Sequence, residues 1–150
     1  MANITLSDSE AEAKAAIDLL SQYELLPFFE RFPQGFYTML GDGGIQISGG
    51  QKQLVGLARA LVREPKLLLL DEITAHMDRD TEAFVSGLLR KLKPGLGILN
   101  ITHNLKNAAV SDRIIVLFDG KVSALGSHAE LMDGENLYSA AWRELIVRQH

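Results

Sequence analysis

The sequence predicts an α/β domain with a parallel sheet, preceded by a helical subdomain. Residues 1–64 carry helical patterns, and patterns of strand, helix, strand, helix, hairpin and helix then follow in turn. That alternation is typical of a parallel sheet covered by helices. The runs Lys66–Asp71 and Leu96–Thr102 are apolar without alternation, which predicts strands buried on both faces. We therefore assign residues 1–64 to a helical subdomain and residues 65–150 to the α/β core.

The helical subdomain is predicted to hold two main helices. The first runs from Ser7 to Leu26, because Ser7 and Glu10 have capping-box spacing and apolar residues then recur at helical spacing. The second begins after Ser48 and ends before Pro65, which cannot continue a helix. Between them lie an aromatic segment and a glycine-rich loop, Gly41–Gly44.

The predicted core continues with capped helices and one hairpin. Asp78 is a plausible cap for a helix that ends near Lys93. Asp119-Gly120 separates two apolar runs, which is a strong hairpin signal. The remaining predicted helices are Asn104–Val110, a short helix after the capping pair Ser127 and Glu130, and Leu137–Gln149.

Composition excludes several classes of function. The chain has 150 residues, a net charge of −4 and no cysteine. Disulfide scaffolds, thiolate metal sites and thiol catalysis are therefore excluded. No cluster of basic residues indicates a nucleic-acid surface, so we expect no nucleic-acid partner. The longest apolar runs fall far short of the ~20 residues that span a bilayer.

The sharpest local motif is Ser48-Gly49-Gly50-Gln51 at the start of the second helix. Glycine lets an anion approach the backbone closely, and the first amides of a helix favour negative charge. The motif therefore fits a phosphate group. The simpler alternative is a capped helix after a flexible loop.

Two adjacent carboxylates, Asp71 and Glu72, follow the first predicted strand. The carboxyl ends of strands in open α/β sheets are where ligands bind. One carboxylate suffices for Mg²⁺ beside phosphate oxygens, and the next could polarise an attacking water. The alternative is two solvated acids. His103 follows the second strand, which would deliver it to the same sheet edge, although a lone histidine there is more often structural.

The order of these three motifs resembles the ATP-binding cassette (ABC) family, and the resemblance covers essentially the whole chain. It implies a partial P-loop-NTPase-like fold that binds ATP and Mg²⁺. Residues 47–53 resemble the family signature, which implies nucleotide contacts for Ser48, Gly49, Gly50 and Gln51. Residues 66–72 resemble the Walker B strand, which implies Asp71 for Mg²⁺ and Glu72 as general base. Residues 101–104 align with the family's switch motif, which implies His103 as the switch histidine.

The resemblance is to the exporter type, through residues 32–44 before the signature and residues 111–131 in the tail. Residues 75–78 align with the D-loop, which implies a nucleotide-site role for Asp78. Ala75 and His76 depart from the common Ser and Ala, so the contacts of this loop across a dimer are in doubt. We interpret His76 as a solvated loop residue.

No phosphate-binding loop of the form Gly-x-x-x-x-Gly-Lys-Ser/Thr occurs in the sequence. The single Gly-Lys pair, Gly120-Lys121, is followed by valine and lacks the earlier glycine. We therefore expect the chain to begin in the middle of an ATPase domain. We also expect an uncovered apolar sheet face and an open strand edge, and hence self-association.

The resemblance implies a second nucleotide-binding domain and a transmembrane domain as partners. It places the chain at the cytoplasmic face of a membrane, where ATP hydrolysis would drive export in the full-length protein. Two alternatives stay open. One is a non-catalytic module that supplies the signature to another protein's nucleotide site, and the other is a fragment of a soluble ABC protein.

We predict weak or no binding of Mg-ATP by the chain alone, because it holds the signature and the carboxylates but no phosphate cradle. Isothermal titration of the purified chain with Mg-ATP should give no saturable heat. A clear isotherm at micromolar affinity would contradict this, and a self-associated copy presenting Ser48–Gln51 would then be the first place to look for the phosphates.

Overall fold

The computed structural model describes residues 10–35, 38, 40 and 46–148. Its elements, in chain order, are as follows: α1 Glu10–Gln22, α2 Leu26–Glu30, α3 Gly49–Leu61, β1 Leu67–Asp71, α4 Arg79–Leu92, β2 Gly97–Ile101, α5 Leu105–Ala109, β3 Ile114–Phe118, β4 Lys121–Gly126, α6 His128–Asp133 and α7 Leu137–Val147. The predicted Ser7 cap and the loop Gly41–Gly44 lie outside the described residues. The α/β fold class is confirmed.

The chain divides into two compact units, residues 1–100 and 101–150. The predicted boundary after residue 64 does not coincide with this division, because the helices before it and the elements after it share one core. Leu20, Phe29 and Leu57 pack in the same buried cluster as Leu68 and Val85. The assignment of residues 1–64 to a distinct signature subdomain stays a prediction.

A two-stranded parallel sheet, β1 beside β2, lies in the first unit. The amide of Gly97 donates to the carbonyl oxygen of Lys66 at 3.0 Å, which aligns the starts of the two strands. Their carboxyl ends therefore point the same way. Two strands make a small parallel sheet. Parallel pairing is slightly less stable per residue than antiparallel pairing, and parallel sheets are normally covered on both faces.

The prediction that β1 is buried on both faces is wrong for this structure. Leu68 and Leu70 are buried in the core, whereas Leu67 and Leu69 on the opposite face are 58% and 67% exposed. Leu99 of β2 is half exposed as well. Nothing among the described residues covers this face, so its side chains stay open although the strand has the composition of a buried one. The expected uncovered sheet face is therefore confirmed.

A β-hairpin forms the strands of the second unit. β3 pairs with β4 in antiparallel register, with an irregularity between Val116 and Leu117. Asp119 and Gly120 both have positive φ, 48° and 70°, as a tight hairpin turn requires. The outer face exposes four large apolar side chains, Ile115, Leu117, Val122 and Leu125, and Phe118 beside the turn is exposed as well.

The inner face of the hairpin packs on α6 and α7. Ile114, Leu131 and Tyr138 are its buried core, and Trp142 packs against them. The His128 ring lies against Trp142, and its Nδ1 is 2.8 Å from the Tyr138 hydroxyl. Burial raises the pKa of Tyr138. Trp142 is thus part of the packing of this unit.

Hydrogen-bonded caps set the helix starts that the sequence predicts. Ser48, Ser127 and Asn136 each close a capping box, and Asp78 and Asn104 cap α4 and α5 with their side chains. α2 is not predicted. It begins around Pro27 and has five residues, too few to show a helical period.

We predict that the open face of the β1–β2 sheet drives self-association of the chain. Sedimentation at tens of micromolar should show dimers or larger species, because exposed apolar patches of this kind are typical of contact surfaces. The double variant Leu67→Lys/Leu69→Lys should shift the chain toward monomer. Val110→Lys, at a half-exposed valine in the second unit, is the control and should not. A monodisperse wild-type monomer would contradict the prediction.

Candidate functional site

The amino end of α3 is a capping box that also presents the predicted signature residues. The Ser48 hydroxyl accepts from the Gln51 amide at 3.2 Å, and the Gln51 side-chain oxygen accepts from the Ser48 amide at 2.9 Å. Ser48 and Gly49 are exposed, and the first amides of a helix have no intrahelical acceptor. The end is therefore ordered by its own side chains and open to an anion.

The predicted carboxylates lie at the carboxyl end of β1. Asp71 is the last residue of the strand, and both Asp71 and Glu72 are exposed. Glu72 has a φ of 46°, the left-handed region, which costs a non-glycine residue about 1–2 kcal/mol. Its carbonyl oxygen accepts from the Ala75 amide at 3.0 Å and from the Gln53 side chain at 3.1 Å. Strain of this kind persists only where neighbouring contacts hold it.

The loop after Glu72 packs tightly on the first turn of α3. A Cβ added to Gly50 would lie 2.7 Å from the His76 carbonyl oxygen, and one added to Gly49 would lie 3.1 Å from the His76 Cβ. Gly50 is buried, so the chain's own backbone needs this glycine. One of the two glycines that predicted a phosphate site, Gly50, is therefore explained by packing within the fold.

Asp78 closes this loop by capping α4. One carboxylate oxygen accepts from the amides of Asp80 and Thr81 at 3.1 and 3.0 Å, and the other accepts from the Thr81 hydroxyl at 2.8 Å. The hydrogen bonds from Thr81 lower the pKa of Asp78. The carboxylate thus fixes the start of α4, and its predicted part in the nucleotide site remains a proposal.

A cavity of about 130 Å³ lies where α2, α3 and this loop meet. It brings together four predicted site residues, namely Ser48, Gly50, Gln51 and Asp78. The remaining lining residues are mostly aromatic, apolar or basic: Phe28, Phe29, Arg31, Phe32, Leu54, His76, Met77 and Thr81. His76 is exposed, as expected for a loop residue, but its ring also forms part of this wall.

His103 follows the carboxyl end of β2 by two residues and is exposed. It belongs to the second unit, whereas the carboxylates belong to the first. The predicted meeting of His103 with Asp71 and Glu72 therefore stays a prediction.

Within residues 10–35 and 46–148, no group of three or more His, Asp or Glu side chains is placed to hold a metal ion. The exposed carboxylate of Asp71 fits the role of one hard-oxygen ligand, with phosphate oxygens and water as the others. The residues present therefore suit a metal that arrives with a nucleotide.

Sequence reasoning missed two side chains that build the site. Gln53 contacts Glu72 across 19 residues, and no sequence pattern indicates such a pairing. Arg31 lies over the Phe28 ring at 5.8 Å on the cavity wall. The aromatic segment between the two predicted helices is the sequence feature that could have indicated this wall, since it contributes Phe28, Phe29 and Phe32.

A family profile described as ABC transporter matches residues 4–75. The mitochondrial potassium channel ATP-binding subunit of Xenopus tropicalis is 42% identical over 82% of this chain and 17% of its own length. The ATP-dependent lipid A-core flippase of Dechloromonas aromatica (strain RCB) is 38% identical over 93% of this chain and 23% of its own.

Among solved structures, a bacterial Atm1-family ABC exporter with ATP bound matches with a TM-score of 0.80 and 35% identity. The match covers 96% of this chain and 25% of that one. The chain thus spans a quarter or less of the length of each of these three relatives.

The fold and the motifs together define part of the ATPase domain of an exporter-type ABC protein. The chain belongs to the ABC transporter family. No helix in the parts of the chain that the structure describes is long and apolar enough to cross a membrane.

We predict opposite effects for two glycine substitutions in α3. Gly50→Ala should lower the free energy of unfolding by about 1–3 kcal/mol, because its Cβ would overlap the His76 backbone. Gly56→Ala, with nothing within 4 Å of its Cβ, should raise it by roughly 0.5–1 kcal/mol through helix propensity. Urea unfolding of both variants measures the difference. Equal effects would show that the contact at His76 gives way without cost.

Proposed function

We propose that this chain supplies the signature helix and the catalytic carboxylates of an ATPase domain that drives a membrane exporter. The observation that carries the proposal is the direct packing of the signature motif against the loop after the Walker B carboxylates. The open amino end of α3 is packed on the loop that follows Asp71 and Glu72. An anion contact and a pair of strand-end carboxylates are thereby held in one compact unit.

The substrate is ATP, and its phosphates would meet Ser48, Gly49, Gly50 and Gln51 at the amino end of α3. The exposed backbone of Gly49, the serine hydroxyl and the positive end of the helix dipole all favour an anion there. In the family resemblance this contact is made in trans. The phosphate loop of a second nucleotide-binding domain would therefore hold the other side of the same nucleotide.

Glu72 would act as the general base that takes a proton from the attacking water. Its carboxylate is exposed at the sheet edge, and its backbone is held by two hydrogen bonds. His103 would hydrogen-bond a phosphate oxygen or that water. Asp71 would hold Mg²⁺, which supplies neutralisation of phosphate charge when it is bound.

A transmembrane domain is the proposed second partner, which would place the chain at the cytoplasmic face of a membrane. The relatives include a lipid A-core flippase, multidrug resistance proteins and the ATP-binding subunit of a mitochondrial potassium channel. These relatives are named for different tasks, and two of the names include ATP. The task we propose for this chain is therefore energy coupling rather than recognition of cargo.

We predict that Glu72→Gln abolishes ATP hydrolysis in a complete domain. A chimera would place residues 1–150 after the preceding part of the ATPase domain of the Atm1-family exporter. Because the amide cannot accept the proton, kcat should fall by about 10²- to 10⁴-fold while nucleotide binding persists. Phosphate release and a fluorescent ATP analogue measure the two quantities.

Glu64→Gln is the matched control, since Glu64 is also an exposed carboxylate next to β1 but precedes the strand. It should leave kcat unchanged. Hydrolysis that survives Glu72→Gln would refute the assignment of the base. A chimera that binds no nucleotide at all would count against the α3 contact.

A further inference from the structure

The side chain of Gln53 joins the signature helix to the residue proposed as general base. Gln53 is partly buried and lies in α3, five positions after the cap residue Ser48. Its amide nitrogen donates to the carbonyl oxygen of Glu72 at 3.1 Å, across 19 positions of sequence. The bond is therefore a tertiary contact between two motifs and not part of either one.

The Glu72 carbonyl is held from two directions. Besides the Gln53 side chain, the amide of Ala75 donates to the same oxygen at 3.0 Å. A carbonyl oxygen has two lone pairs, and here both have donors. Two donors fix the peptide plane that follows Glu72, and Glu72 itself has the unfavourable φ of 46°. The orientation of this plane helps to set where the Glu72 side chain leaves the backbone.

The other end of the Gln53 amide makes no bond. Its Oε1 is buried and has no hydrogen-bond partner. A buried oxygen without a donor is destabilising, and a methionine of similar shape would avoid that penalty. Glutamine at this position is thus not favoured by burial. The contact that distinguishes it from an apolar residue is its donation to the Glu72 carbonyl.

We propose that Gln53 is a positioning residue, which holds Glu72 in its left-handed conformation at the end of β1. The hydrogen bond stands independently of any activity, and only the role given to Glu72 rests on the proposed function. Gln53 would thereby tie the geometry of the base to the helix whose amino end meets the nucleotide.

Hydrogen–deuterium exchange of the 150-residue chain, followed by mass spectrometry, tests the proposal. Gln53→Met removes the donor and keeps the shape. The segment 72–78 should then exchange about three- to tenfold faster, the range that the loss of one hydrogen bond produces in local opening. Peptides from the rest of α3 and from α4 should be unchanged, and the urea midpoint should not fall, because the unsatisfied oxygen is removed as well.

Two further variants separate positioning from a general structural role. Gln53→Lys keeps a donor on a long side chain and should restore protection of the segment 72–78. Lys52→Met, at the exposed neighbouring position, should have no effect. The proposal is overturned if Gln53→Met leaves the segment unchanged, if exchange rises evenly through the first unit, or if the lysine variant is as unprotected as the methionine variant.

This experiment needs no nucleotide, so its failure is distinct from failure of the proposed function. If Gln53→Met lowers the protection of residues 72–78 and hydrolysis survives Glu72→Gln, the positioning role of Gln53 is supported and the assignment of Glu72 as general base is refuted. Unchanged protection together with hydrolysis abolished by Glu72→Gln would refute the role of Gln53 alone.

Discussion

The close contact between the first turn of α3 and the loop after β1 is the constraint on which the described site depends. Gly50 lets the His76 carbonyl approach the helix, and Gln53 holds the Glu72 carbonyl one turn further on. A larger residue at position 50 would push the loop outward, and with it the strand-end carboxylates. Packing inside the unit and the placement of the surface carboxylates therefore have the same structural origin.

Several site residues serve the fold and the proposed chemistry together. Ser48 and Gln51 cap α3 with the atoms that would otherwise face a phosphate, and Asp78 uses both carboxylate oxygens to start α4. Caps of this kind typically contribute about 1 kcal/mol each. The site is thus preorganised before any ligand arrives, because the side chains that line it are already fixed by hydrogen bonds to the backbone.

The parts of the fold that sequence could predict are those set by local chemistry. The caps at Ser48, Asp78 and Ser127 and the turn at Asp119-Gly120 depend on residues within four positions of each other, and all four are confirmed. The order of the predicted strands and helices is confirmed for the same reason, since periodicity is a local property, and α2 is too short to show one.

What sequence could not predict depends on neighbours distant in the chain. β1 has the composition of a strand covered on both faces, yet coverage is decided by which elements are present, and one face is open. The motifs gave the identities of Asp71 and Glu72, but not the left-handed backbone of Glu72 or its contact with Gln53. Those features arise only when α3 and the loop are packed together.

The second unit is assembled almost entirely from elements that are adjacent in sequence. A tight hairpin is followed directly by α6 and α7, and these pack on the hairpin they follow. Loop-closure entropy for such neighbours is small, and a low contact order favours rapid folding. The first unit must instead join α1–α3 to β1 and α4 across a much longer stretch of chain. The second unit is therefore expected to form its hairpin and helix contacts first, before the strand-end carboxylates of the first unit reach their native geometry.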